Sequence, residues 1–285
     1  MHIGRCGAYV AESFSQMPLS IQILLFGVLA ALANVLGGLI LFPSKLHSKY
    51  RDALRYVLAL GAGFMLSVTL LEIFPETIKL WVTDPKSIGE LYKPMLLVIV
   101  GYLLTQFFEH TIAPHFHLGE EMHCEDEEHG HAELSSRIVY TAVAGLLVHA
   151  FFDGISIAAA AQVNLQVGLL VFIAIFLHKF PEGFTIGSMV LAAGKDWVSV
   201  FTTTALVGAA TLAGVLVLFF AGNVLGLTVA YALPIAGGVA LYVAASDLIP
   251  EINHHGGRRP LVSLSIFAGV ALFFGTQQIL HSVFE

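Results

Sequence analysis

Charge is scarce in this 285-residue chain. Only 12% of its residues are Asp, Glu, Lys or Arg, against about 25% in an ordinary soluble domain. Apolar residues make up 57% and mean hydropathy is +0.83, which excludes an ordinary water-soluble globular fold. Cysteine is nearly absent: Cys6 and Cys124 are too few and too far apart for a disulfide framework. No basic patch, Gly-rich phosphate loop or ATP-binding motif occurs, so neither nucleic acid nor nucleotide is an expected partner. The net charge of −7 comes largely from one acidic loop. The opening MHIGRCGAYVAESFSQ lacks the apolar core of a signal peptide, so a mature terminus is expected.

What the chain does hold is long apolar runs. A membrane-crossing helix needs about 20 apolar residues. Such runs lie near 20–42, 53–78, 93–113, 137–162, 164–193, 197–222, 226–250 and 261–284. The expected fold is all-α: a polytopic membrane protein of eight transmembrane helices forming one domain, 1–285, with the lipid bilayer as its constant partner. The weakest boundary is GNVLGL, between the sixth and seventh spans, where only Gly and Asn signal a turn. The link between the fourth and fifth, around AQVNLQ, is so short that those spans must form a tight antiparallel hairpin.

Basic residues in short loops set orientation. One side holds Lys45, Lys49, Arg51, Arg55, Arg137, Lys195, Arg258 and Arg259; the other holds Arg5, Lys79, Lys86 and Lys93. That asymmetry places both termini outside the cytosol. It leaves one basic residue, Lys179, inside the membrane.

An internal repeat is also present. GAGFMLSVTLLEIFPE (61–76) aligns without gaps to AGGVALYVAASDLIPE (236–251), matching Gly63 to Gly238, Glu72 to Asp247, and Pro75–Glu76 to Pro250–Glu251. Four helices lie between the two segments, so they cross in opposite directions. This is the signature of an inverted repeat, here 3+2+3, with a substrate site expected near the midplane. Chance similarity between apolar segments is the competing explanation, and the shared acid-x-x-Pro-Glu argues against it.

The fourth and fifth spans carry paired motifs, HAFFDGISI (149–157) and HKFPEGFTI (178–186). Ionisable side chains at bilayer depth cost roughly 2.5–3.5 kcal/mol on insertion scales and mark functional sites. His149 and Asp153, like His178 and Glu182, are four residues apart and share a helix face. Together they offer two imidazoles and two carboxylates, a mixed N/O set that suits a divalent transition metal. With the hairpin turn near 163–164, both histidines lie 14–15 residues from it, roughly 20 Å along their helices and near the midplane. The four ligands are then expected to span about two helical turns. Pro181 removes a backbone hydrogen bond beside the site, and Gly154 and Gly183 allow close helix approach. A proton relay of His and carboxylates is the competing function.

Lys179 needs a carboxylate counter-charge at this depth, and we read it as filling a position where a second cation could otherwise bind. Glu72, Glu76, Asp247 and Glu251, at or near helix ends, are candidate gate or pathway ligands; capping and interface roles compete. Met65 is a candidate thioether ligand, with core packing as its ordinary role. The loop within 114–136 carries His115, His117, His123, Cys124, His129 and His131 among six acids (120–128). It is expected to be cytosolic and disordered, binding metal weakly or serving as a solvated linker.

These features resemble the ZIP (Zrt/Irt-like) family of divalent metal transporters over nearly the whole chain. The paired His/acid motifs are the specific element; the His-rich loop between spans three and four would not suffice alone. The resemblance implies that His149, Asp153, His178 and Glu182 bind the transported ion, and that Met65 matches a position contributing to the site in some bacterial members. It further implies import toward the cytosol, homodimerisation, and alternating access with spans one, four, five and six moving against the rest. Members with a binuclear site usually carry Asn where this chain has Ala150 and an acid where it has Lys179, and their sixth span contributes as well. A single metal site is therefore expected.

Two His and two carboxylates suit Zn2+ first, then Fe2+ or Mn2+, with Cd2+ as a mimic. The rival from another class is an intramembrane zinc-dependent hydrolase, which needs an activated water and a general base. No HExxH occurs, and Lys rather than Glu follows His178, so no enzymatic activity is expected.

Overall fold

A computed structural model describes residues 16–40, 47–82, 85–111, 136–222, 228–250, 252 and 260–284. Eight helices among them are long and apolar enough to cross a membrane, each close to its expected span, and no strand occurs among the described residues. We number them α1 (Leu19–Leu39), α2 (His47–Val68, continuing through Thr69–Ile73 and Phe74–Trp81), α3 (Tyr92–Thr111), α4 (Ser136–Val163), α5 (Leu165–Ala192), α6 (Trp197–Leu216, continuing through Val217–Ala221), α7 (Val229–Tyr242, continuing through Val243–Leu248) and α8 (Pro260–Phe284). The His-rich loop, with His115, His117, His123, Cys124, His129 and His131, lies outside the described residues, as does Glu251.

Local chemistry explains the turns around the site. The α4–α5 hairpin has a single non-helical residue, Asn164, whose side-chain oxygen accepts from Val167 N at 2.9 Å and caps α5. That fixes the antiparallel register and brings the two motifs level. Helix α5 runs uninterrupted through Pro181 and ends at Gly194, whose φ of 70° closes the helix in the left-handed region. Asp196 then opens α6 by accepting from Ser199 N at 2.9 Å.

The helices pack as the inverted repeat requires. α1, α4, α5 and α6 pack together, α2 pairs with α8, and α3 pairs with α7. Exchanging the halves (α1 with α6, α2 with α7, α3 with α8, α4 with α5) maps these pairings onto one another. The aligned segments agree in detail. Thr69–Ile73 and Val243–Leu248 are both π-helical turns, and their alignment in the repeat offsets them by one residue at most. Gly63 lies against the Ile266 carbonyl of α8, and its counterpart Gly238 against the Val98 carbonyl of α3. Two lone sequence features rarely recur as the same wide turn and the same close contact by chance; a duplicated fold accounts for both.

The distribution of polarity is that of a membrane protein. Leu96, Leu103, Phe107, Leu264, Phe267 and Phe274 on α3 and α8 are exposed, while Asn34, Asp153, His178, Lys179, Thr204 and Thr211 are buried. In water such an arrangement would be unstable; in lipid it places every costly group against protein.

A His/carboxylate cluster bridged by a lysine

The repeat brings α4 and α5 together at the centre of the α1/α4/α5/α6 group. One ligand atom from each of His149, Asp153, His178 and Glu182 lies within 4.8 Å of the other three. The cluster is tighter than a span of two helical turns, because Asp153 and Glu182 lean toward the paired rings rather than away from them. Glycine permits this. A methyl group added at Gly183 would stand 1.9 Å from the Asn34 carbonyl oxygen of α1, and one at Gly154 equally close, 1.9 Å, to the Thr211 carbonyl of α6. Backbones in such contact bring α6 against α4 and α1 against α5 at the level of the cluster.

Asp153 is the hub. Its Oδ2 lies 3.3 Å from His149 Nε2, 3.4 Å from His178 Nε2 and 2.8 Å from Lys179 Nζ. The imidazole rings face one another edge-on, with centroids 5.8 Å apart. His178 donates Nδ1–H to the Ala174 carbonyl at 3.2 Å, which orients the ring with Nε2 toward Asp153 Oδ2 at 3.4 Å. The backbone bond fixes the tautomer that a metal needs. A tetrahedral Zn2+ with bonds of about 2.0–2.2 Å holds its ligands about 3.3–3.6 Å apart. The cluster therefore needs to contract by about 1 Å at its widest to hold one.

Glu182 lies at the other end. One of its oxygens, Oε2, accepts from Lys179 Nζ at 2.7 Å, and Oε1 accepts from Asn34 Nδ2 at 3.2 Å. Asn34 is a site residue that the motif search passes over. Its signal was a lone amide in the middle of the first apolar run, FGVLAALANVLGG. Lys179 is fully buried and bridges both carboxylates of the cluster. Its ammonium thus touches the first-site ligands themselves, which the sequence did not show, because a 100° offset from His178 fixes a direction but not the reach of a four-carbon chain.

The remaining sequence candidates fall into place around this centre. Met65 is buried, one turn beyond Gly61, which lies against Leu177 and the His178 backbone of α5, so it shares the helix face turned toward α5. Ala150 is fully buried with Ile186, Met189 and Val207. Glu72, expected at or near a helix end, lies inside the π-helical turn Thr69–Ile73 of a helix that continues to Trp81. The wider turn absorbs Pro75 without ending the helix. Glu72 accepts from Gln277 of α8 at 3.3 Å. With Glu76, Lys79, Asn164 and Gln166 these two line a polar cavity of about 370 Å³. It opens beside the α4–α5 turn. Asp247 occupies the equivalent π-helical turn of α7.

Comparison with known proteins agrees with this centre. The family model described as ZIP zinc transporter matches residues 113–277, which include both motifs. The chain belongs to the ZIP family. Among ZIP relatives, it is 28% identical to zinc transporter ZIP9-A of Xenopus laevis over 169 residues, covering 51% of this chain and 55% of that protein. It is 27% identical to human zinc transporter ZIP6 over 172 residues, 55% of this chain and 23% of that protein. Zinc transporter ZIP10 of Danio rerio is 28% identical over 129 residues, 45% of this chain and 15% of that protein. The chain thus spans about half the length of the ZIP9 relatives and less of the others.

Proposed function

We propose that this protein carries divalent transition metal ions across its membrane by alternating access, with His149, Asp153, His178 and Glu182 as the ion's ligands and Zn2+ as the first-choice cargo. The observation that carries this reading is the one cluster of two imidazoles and two carboxylates among the described residues, lying between α4 and α5 of the repeat. Membership in the ZIP family and the chain's likeness to named zinc transporters support zinc. Fe2+, Mn2+ and Cd2+ fit the same donor set, since selectivity in such sites rests on geometry more than on affinity.

The steps follow from ligand chemistry. A hydrated ion reaches the polar cavity beside Glu72 and Glu76, loses water, and exchanges it for Asp153 and the two imidazoles. Two carboxylates offset the ion's charge, which makes the loaded site affordable in a low-dielectric interior. Glu182, on the far side of the cluster, then takes the ion as access switches. The charge asymmetry of the loops supports an outward-facing entry, cytosolic release and extracytoplasmic termini. The α1/α4/α5/α6 group is the unit that moves against α2, α3, α7 and α8, and a homodimer is the assembly the family resemblance implies.

Uptake of radiolabelled Zn2+ into proteoliposomes tests this reading. Wild-type protein shows saturable uptake, and the His178→Ala, Glu182→Ala double variant loses it. Equal uptake by both proteins would remove the cluster from the pathway. Competition by unlabelled Fe2+, Mn2+ and Cd2+ in the same assay ranks the cargo.

A further inference from the structure

Lys179 is 0% exposed, and its ammonium contacts Asp153 Oδ2 at 2.8 Å and Glu182 Oε2 at 2.7 Å. Those two carboxylates are also the only acids of the cluster. A metal bound to both imidazoles and to Asp153 Oδ2 would meet the ammonium at the same oxygen and repel it, because Oδ2 faces all three nitrogens. Ammonium and metal are therefore alternatives at this oxygen.

The consequence concerns the half of the transport cycle in which no metal is bound. A carrier that has released its cargo must return with the site empty. Without a cation, two carboxylates would make that return while buried among apolar helices, where an uncompensated charge is strongly unfavourable. With Lys179 in place, one of the two charges is cancelled and both carboxylates keep a partner. The displaced ammonium also has somewhere to go. Asn34, fully buried, donates to Glu182 through Nδ2, and its Oδ1 has no hydrogen-bond partner among the described residues. That oxygen is an acceptor on the same amide, directly beside Glu182.

We infer that Lys179 is the tethered counter-cation of the empty carrier: it holds Asp153 and Glu182 when no metal is bound, yields them to an incoming divalent ion, and takes them back on release. The site then resets without cargo and without a second ion. This inference rests on the transport reading above. It assigns Lys179 a positioning role toward the two carboxylates rather than a place among the metal's ligands.

The test compares two flux modes in proteoliposomes. Net uptake of labelled Zn2+ into metal-free vesicles requires the empty return; exchange of labelled Zn2+ against vesicles loaded with unlabelled Zn2+ does not. In wild type the ratio of exchange to net uptake is close to one. In Lys179→Met, which keeps the length of the side chain but not its charge, the ratio rises by at least about tenfold, because only the empty return meets the bare carboxylates. An unchanged ratio in the variant overturns the inference, and so does a wild-type ratio already far above one. A second readout needs no transport. Zinc raises the melting temperature of the detergent-solubilised Lys179→Met protein more than that of wild type, since metal then supplies the only cation; equal shifts overturn the inference. If the variant cannot be purified with or without zinc, the wild-type ratio decides. Wild-type protein that passes no metal in either mode would instead refute the transport reading, a failure distinct from an unchanged ratio.

Discussion

Asp153→Asn abolishes zinc uptake while the protein still folds. Asp153 Oδ2 is the atom on which both imidazoles and the ammonium converge, so its loss removes the ligand shared by every arrangement of the site. Loss of an outer-shell partner typically costs about 10–100-fold in metal affinity, and loss of a ligand at the centre of the set exceeds that. Folding survives for an electrostatic reason. Lys179 keeps Glu182 at 2.7 Å, leaving a neutral buried pair rather than an orphaned charge, which is the condition that makes buried ion pairs fragile. Uptake assays and size-exclusion profiles on the same preparation separate the two effects. Retention of more than about a tenth of wild-type uptake would show that Asp153 is not a ligand.

The second large effect is steric. Gly154→Ala and Gly183→Ala each put a methyl group 1.9 Å from a backbone carbonyl of the facing helix, at Thr211 and Asn34. No rotamer change relieves a clash with backbone, so α4 must separate from α6, or α5 from α1. Overpacking of a well-packed core costs about 1–3 kcal/mol, and displacing two helices costs at least that. The expected result is a large loss of folded protein and of uptake in both variants. Gly275→Ala is the control: nothing lies within 4 Å of its added methyl, and alanine favours the helix over glycine by about 1 kcal/mol. Fluorescence-detected size exclusion after a heating series measures all three. Equal melting of Gly154→Ala and Gly275→Ala would contradict the helix contacts described above.

Much of this was legible in the chain because a bilayer imposes simple rules. Twenty apolar residues in a row leave few alternatives to a crossing helix, and the eight spans were found with boundaries a few residues from those observed. The repeat was legible through Gly63, Glu72 and Pro75 and their partners at Gly238, Asp247 and Pro250, since these residues have backbone or charge roles that recur with the fold. The four cluster residues stood out because ionisable groups in apolar runs are rare.

Other features were hidden for physical reasons. The π-helical turns leave no composition signal; TLLEI and VAASDL share little beyond an acid. Asn34 was hidden because a single amide is an ordinary residue until its partner is known, and that partner, Glu182, lies 148 positions away. The double contact of Lys179 required side-chain reach as well as helical phase. Sequence spacing gives the direction in which a residue leaves its helix, while the end of a long side chain is placed by the charges it meets.

The central proposal is that His149, Asp153, His178 and Glu182 hold the transported ion. Anomalous diffraction at the zinc edge from crystals of zinc-loaded protein tests it most directly. The predicted map has one peak among these four side chains, about 2.0–2.1 Å from the ligating imidazole nitrogens, with Lys179 Nζ withdrawn from Asp153 Oδ2. Zinc-loaded crystals with no peak in this cluster would contradict it; a peak there while Lys179 still spans the two carboxylates at 2.7–2.8 Å would contradict the counter-cation role instead.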